Sequence, residues 1–171
     1  MTNPTGSSTP KKSPMTPAIR LLKAQKAPYR ELFYDYVEKG GTSRLASVLG
    51  IDEHKIVKTL IMETDAKKAL IILMHGDRSV SLKNLARFLG VKSVAPCAPE
   101  QAEHNSGYRV GGTSPFGTRR VMPIFVEKTI LDLDLIYING GHRGFILEMA
   151  PADLVRILKP TPVEVAIEKL D

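Results

Sequence analysis

Cysteine is nearly absent from this chain of 171 residues: Cys97 stands alone, so no intrachain disulfide can form and nothing supports a zinc site. Cys97 therefore reads as a small buried or surface thiol. Long apolar runs are missing as well. No stretch approaches the roughly 18 apolar residues that a spanning helix needs. The opening residues are rich in Thr, Ser and Pro and lack the apolar centre of a secretory signal, so no membrane is expected as partner and the cytoplasm is the expected compartment. The four histidines, His54, His75, His104 and His142, fall in different predicted elements without metal-ligand spacing. They read as solvated or capping side chains, and neither a metal nor another cofactor is expected. There is no nucleophile elbow, no P-loop and no Cys–His pair in a recognisable context, which points to chemistry done without a protein nucleophile.

What is present is enough for one core. Hydrophobic residues make up 43% and charged residues 25% of the chain, and its length suits a single domain. The net charge of +6 suggests a polyanionic partner, because clustered Lys and Arg gain affinity by displacing counterions from phosphates. Residues 1–14 carry almost no apolar side chains and read as a disordered arm, leaving residues 15–171 as the folded domain.

Thr16 before Pro17 is a helix entry, and the helix is expected to run until Pro28 stops it. Residues 29–37 alternate as a strand, with Leu32, Tyr34 and Tyr36 on one face. Thr42 or Ser43 is expected to cap a helix presenting Leu45, Val48 and Leu49 and stopped by Gly50. Residues 58–64 and 69–75 read as a β-hairpin. Ser81 caps a helix with Leu82, Leu85 and Leu89 inside and Gly90 as its stop. A short strand over 91–95, a helix over 99–105 and a glycine-rich loop over 106–117 follow. Strands are expected at 122–127, 135–139 and 144–149, then a helix with Pro151 in its first turn and Leu154, Val155 and Leu158 inside. The pattern predicts an α+β domain: a mixed, largely antiparallel sheet, curled or forming a partial barrel, surrounded by short helices.

Two features stand out from this packing. Lys58 follows Ile56-Val57 and precedes Thr59-Leu60-Ile61, so its ammonium is either partly drawn from water or snorkels out from a strand edge. The run from Gly107 to Gly117 holds four glycines and a proline, which lets backbone N–H groups converge on an anion or carbonyl, or makes an ordinary connecting loop.

The stretch Val57-Lys58-Thr59-Leu60, the loop from Ser106-Gly107-Tyr108 through Val110-Gly111-Gly112 to Ser114-Pro115 and Gly117, and the turn Gly140-Gly141-His142-Arg143-Gly144 resemble, in this order and spacing, motifs of the YbaK family. Met15-Thr16-Pro17-Ala18-Ile19 and Leu21-Leu22-Lys23 resemble the usual beginning of such proteins, so the resemblance covers residues 15–159 and makes Met15 a candidate start. It implies a mixed sheet surrounded by helices and a trans-acting deacylase that clears mischarged tRNA, Cys-tRNA(Pro) first, with no catalytic metal and with the substrate's own thiol attacking its ester. The implied partners are aminoacyl-tRNA, in particular tRNA(Pro), and prolyl-tRNA synthetase. By match to the motifs, Lys58 corresponds to the family's central lysine, Thr59 to its neighbouring threonine and Tyr34 to a pocket tyrosine. Gly111 and Gly112 correspond to loop glycines near the reacting ester. Ser114, Pro115, Asn139, Gly140 and Gly141 fall in the same motifs and are the further candidates for substrate binding. Lys58 could hold a phosphate or carbonyl as a point charge, and amides around Gly111 and Gly112 could stabilise an oxyanion.

Two positions depart from the cysteine-specific pattern: Asn139 stands where a serine is common before the paired glycines, and Ile146 where an aspartate follows the turn. Deacylation of another small amino acid, such as Ala-tRNA(Pro), is therefore an alternative, as is a non-catalytic member that binds tRNA or a synthetase. Residues 43–60 also resemble the opening of a helix-turn-helix. The β-branched, apolar residues 58–62 do not suit a recognition helix, which sets DNA binding behind the other readings.

Overall fold

The computed structural model describes residues 12–170. Most of the predicted N-terminal arm, residues 1–11, lies outside them; at its end Ser13 donates a hydrogen bond to the Glu31 carboxylate.

Helix α1 (Pro17–Ala24) starts as the sequence predicts, with the Thr16 hydroxyl accepting from Ile19 N at 3.1 Å and Pro17 in the first position. It stops short of Pro28 because Lys26 turns left-handed (φ 53°) and Ala27 N reaches back to Leu22 O at 3.0 Å, closing the end. Strand β1 (Arg30–Phe33) is shorter than expected. It pairs with β8 (Phe145–Met149), whose pairing ends at Phe145 opposite Phe33, and past a last bond from Tyr34 N to Gly144 O the strand pairing stops. Helix α2 (Gly41–Leu49) does not use the predicted hydroxyl cap. Thr42 Oγ1 instead bonds Glu53 Oε1 and Gly76 O, both at 2.9 Å. Leu45 is buried but Val48 is exposed, and Gly50 ends the helix left-handed as read.

A short 3-10 turn (Glu53–Lys55) leads into β2 (Ile56–Thr64), and the predicted hairpin joins it to β3 (Ala69–His75) from Val57↔His75 to Glu63↔Ala69. After β4 (Arg78–Val80), α3 (Leu82–Leu89) has its Ser81 cap and Gly90 stop, but it buries Leu85 and Ala86 and leaves Leu82 exposed. Then come β5 (Val94–Pro96), α4 (Pro99–Ser106), β6 (Ile124–Glu127), β7 (Ile136–His142), β8 and α5 (Pro151–Leu158), whose Val155 is exposed rather than inside. Two strands the sequence did not announce, β9 (Thr161–Val163) and β10 (Ala166–Glu168), end the described chain. No helix among the described residues is long and apolar enough to cross a membrane.

The main sheet is mixed and largely antiparallel, ordered β1-β8-β7-β2-β3-β6-β9, with β5 also on β2 and a separate β4–β10 pair. Its end strands do not pair with each other, so it is open and uncurled and does not form the partial barrel considered above. β3 runs through the centre and is buried on both faces: Ile71 and Leu73 join one apolar cluster with α1, β7 and β8, while Leu70, Ile72 and Met74 join a second with α3 and β4. β2 is different. On the side away from β3 it pairs with β7 only through Ile56 and Val57 and with β5 only through residues 62–64. Cys97 N extends the β5 contact to Ile61 O at 3.0 Å, and residues 58–60 lack a neighbouring strand on that side.

The C-terminal strands are tied in by a buried carboxylate. Glu127, 4% exposed, accepts from Val165 N at 2.8 Å, and burial raises its pKa. Glu127→Ala leaves that buried N–H unpaired, which is expected to cost about 1–3 kcal/mol and to lower the melting temperature. Because the folded carboxyl sits above its ordinary range, the native state takes up its proton before the unfolded chain does, and wild-type stability gains from this group as pH falls through that range. Glu127→Gln keeps an acceptor and loses that pH dependence; thermal melts from acid to neutral pH check both variants.

Candidate active site

A cavity of about 740 Å³ opens where β2 lacks its neighbour. Because it enters at a split in the sheet, consecutive residues 56–62 all border it, instead of every second one as on a sheet face. The chain between β1 and α2, the start of α2, Val110, Gly111 and Thr113, and the β7–β8 ribbon supply other walls.

Lys58 lines the cavity half-buried, with its ammonium donating to Arg78 O. Burial pulls its pKa below the ordinary lysine value and Lys169 adds to this, against Glu53 and Asp77. Beside it the Thr59 hydroxyl is the one buried side-chain polar atom among the described residues without a hydrogen-bond partner. An orphaned buried hydroxyl costs free energy that a ligand can recover, so Thr59 marks a place where a bound polar group would fit.

The glycine loop is rigidly built. Tyr108, 5% exposed, donates its hydroxyl to Phe116 O at 2.6 Å, and burial pushes its pKa up to about 12. Ser106 and Ser114 each accept a backbone N–H two residues on, from Tyr108 and Phe116, at 3.1 Å. Gly111 has φ 88°, and a Cβ there would run into the Tyr36 hydroxyl; a Cβ on Gly112 would lie 2.8 Å from Arg143 N. Only glycines let this loop pass so close to both. The Gly112 amide is already donated to Arg109 O at 2.8 Å, while the Gly111 amide has no acceptor among the described residues.

Asn139 binds the two halves of this wall. Its Oδ1 accepts from Gly141 N (2.7 Å) and His142 N (3.1 Å) across a bulge in β7, and its Nδ2 donates to Gly111 O at 3.3 Å. Of the ten residues singled out from the sequence, Tyr34, Lys58, Thr59, Gly111 and Asn139 line the cavity together. Gly112, Ser114, Pro115, Gly140 and Gly141 do not; they lie behind the wall, where Ser114 is fully buried and Gly140 O accepts from the Thr16 hydroxyl at 2.6 Å.

Several wall residues escaped sequence reasoning. Arg143 stands 4.7 Å over the Tyr36 ring and donates to Val110 O at 2.8 Å; with Lys39 and Arg44 it gives the cavity three more cations against Glu38 alone. The Gly140–Gly144 motif and the alternating aromatics of residues 29–37 contained both members of the stack, but only the fold pairs them. Ile146, which the sequence singles out as a departure from the cysteine-specific pattern, is 2% exposed and joins Leu45 and Ile56 in an apolar cluster on the cavity wall. Among the described residues no cysteine, serine or histidine lines the cavity.

The histidines also depart from expectation. His54 and His75 meet, with Asp77, in the one group of three His, Cys, Asp or Glu among the described residues close enough to share an ion. Their rings stack 3.8 Å apart and within 8° of parallel. Nitrogen lone pairs lie in the ring plane, so two stacked rings cannot direct them to one ion without turning; the arrangement is a hydrogen-bonded stack, not a metal cage.

The aminoacyl-tRNA editing domain model matches residues 39–157, which include every residue that lines the cavity except Tyr34, Tyr36, Val37 and Glu38. EbsC of Enterococcus faecalis, to which Cys-tRNA(Pro)/Cys-tRNA(Cys) deacylase activity is attributed, is 28% identical over 143 residues, covering 83% of this chain and 87% of its own. Proline–tRNA ligase of Thermodesulfovibrio yellowstonii is 26% identical over 117 residues, 67% of this chain and only 19% of the ligase. A solved structure assigned as a trans-editing enzyme for prolyl-tRNA synthetase superposes with a TM-score of 0.75 at 19% identity, over 92% of this chain and all of the other, a likeness of fold. With its matching motifs, its fold and this cavity, the chain belongs to the aminoacyl-tRNA editing domain family.

Proposed function

We propose that this protein removes wrongly attached amino acids from tRNA(Pro), acting on the aminoacyl ester in the cavity at β2, with Cys-tRNA(Pro) as its first substrate. The observation that carries the reading is that Lys58, half-buried, and Gly111, its amide uncommitted, line one cavity that offers no cysteine, serine or histidine as nucleophile among the described residues. Its threonines, Thr42, Thr59 and Thr113, have no histidine beside them in the cavity to act as base, and we assign the attack to the substrate or to water. With a cysteinyl ester the substrate sulfur attacks the carbonyl carbon, the bond to the ribose oxygen breaks, and the thiol proton ends on that oxygen. Lys58 and the Gly111 amide stabilise the negative charge that gathers on the carbonyl oxygen, and the walls restrict the ester to geometries in which attack occurs. Thr59 supplies a hydroxyl for the substrate's polar groups. The cations at Lys39, Arg44 and Arg143 suit the phosphates of the tRNA 3′ end. Prolyl-tRNA synthetase, whose relatives carry a matching segment, is the proposed source of the mischarged tRNA, in the cytoplasm.

The apolar wall favours a second reading. Ile146, Leu45 and Ile56 offer no acceptor for a substrate thiol or hydroxyl, which suits a small apolar side chain such as that of Ala-tRNA(Pro), hydrolysed by water.

Lys58→Ala is expected to lower the deacylation rate about a hundredfold or more, some 3 kcal/mol, with little change in melting temperature. Lys58→Arg is impaired too, since a planar fork does not replace a point charge. Assaying both on a panel that includes Cys-tRNA(Pro) and Ala-tRNA(Pro) tests the site and ranks the substrates; wild-type rates in Lys58→Ala on every member would rule out the assignment.

Binding to tRNA is expected to weaken steeply with salt as counterions return to the phosphates. Affinity measured over a salt series checks this, and a flat response would contradict a tRNA partner.

A further inference from the structure

Directly behind Lys58 lies the histidine stack. His75 is 1% exposed, with Nδ1 2.6 Å from His54 O and Nε2 2.7 Å from Thr129 Oγ1. A carbonyl only accepts, so Nδ1 carries the hydrogen and, in the neutral ring, the Thr129 hydroxyl donates to Nε2. Burial pulls the His75 pKa down; the His54 carbonyl and Asp77 oppose this, while the His54 and Arg78 charges add to it. This neutral, fully bonded ring is a fixed platform. On it lies His54, whose Nδ1 is 2.9 and 3.1 Å from the two oxygens of Asp77. Burial works against ionisation of Asp77, but the His54 hydrogen bond and charge, with Arg78 and His75, hold its pKa below the usual range.

Asp77 immediately precedes Arg78, whose carbonyl receives the Lys58 ammonium. Three charged groups bear on that ammonium: Lys169 disfavours its charge, and Glu53 and Asp77 favour it. Glu53 is already engaged by Thr42 at 2.9 Å and Lys169 at 2.6 Å. Glu53 is the larger of the two favourable charges, but Asp77 alone of the pair adjoins the residue whose carbonyl takes the ammonium's hydrogen bond.

We propose that Asp77, clipped by His54 onto the His75 platform, is a positioning residue for Lys58: it fixes the turn after β3 whose Arg78 carbonyl orients the ammonium. The inference rests on the reading that Lys58 serves deacylation. It gives the histidines, which no wall of the cavity contains, a part in the reaction without contact with substrate.

The test is the pH–rate profile of the full chain on its best mischarged tRNA. Wild-type activity falls as pH rises through the lowered pKa of Lys58. In Asp77→Asn, loss of the carboxylate charge moves this alkaline limb to lower pH, and kcat drops about tenfold with KM nearly unchanged. His54→Phe keeps a ring over His75 but removes the N–H that holds the carboxylate; kcat falls several-fold while the alkaline limb does not move down, because the charge remains. Melting temperatures taken alongside separate this from a purely structural role, which would lower stability in both variants and leave the alkaline limb in place. Wild-type kcat and an unmoved limb in Asp77→Asn overturn the proposal, and should that variant not fold, a wild-type kcat in His54→Phe does so. Lys58→Ala separates the two layers: if it deacylates normally, the role of Lys58 itself fails, and if it is inactive while Asp77→Asn behaves as wild type, only the positioning inference fails.

Discussion

Strand β2 runs out of partners in its middle, and the site follows from that. β7 holds its first two residues and β5 its last three, with Cys97 N bonded to Ile61 O, so residues 58–60 are strand-like on one side and open on the other. An isolated strand with such a gap would be free to bend or slip. Here the continuous pairing with β3, itself buried on both faces, holds it straight. The gap therefore persists as a cavity with rigid walls, and Lys58 and Thr59 sit in it side by side although neighbouring residues on a strand point to opposite faces. The unpartnered Thr59 hydroxyl and the half-buried Lys58 ammonium are costs of that arrangement. The buried clusters on either side of β3 offset them.

The second wall obeys a different constraint, close approach. Gly111 passes against Tyr36 and Gly112 against the chain at Arg143, distances that any side chain would prevent. Asn139 then binds this loop to the β7 bulge through three hydrogen bonds. A serine in its place has a single oxygen and a shorter reach, so Asn139 carries a bracing role across the wall that a serine could fill only in part. With its amide engaged on both sides, the wall beside it is left to apolar residues, Ile146 among them.

Much of this was legible because it is local. The Thr16–Pro17 entry, the Ser81 cap, the Gly50 and Gly90 stops and the 65–68 turn depend on residues within a few positions of one another, and all formed as read. Misreadings came where a distant partner decided. β1 ends where β8 ends, Thr42 gives up its cap for Glu53 and Gly76, and β9 and β10 exist only because β6 and β4 are there to pair with. The site divides the same way. The resemblance picked out ten residues, of which the fold places five on the cavity and five in its supporting shell, and sequence alone has no signal for that difference. The Arg143–Tyr36 stack and the His54–His75–Asp77 group were invisible for the same reason: their members lie in separate elements and meet only across the sheet and its turns.

The central claim is that the split at β2 receives the aminoacyl end of tRNA with its ester between Lys58 and Gly111. It is tested most directly by a crystal structure of the protein with a non-hydrolysable 3′-aminoacyl-adenosine analogue. The account predicts the analogue's carbonyl oxygen within hydrogen-bonding reach of both the Lys58 ammonium and the Gly111 amide, with the amino-acid side chain against Ile146. An analogue bound away from β2, or seated in the cavity with its carbonyl turned from both groups, would contradict it.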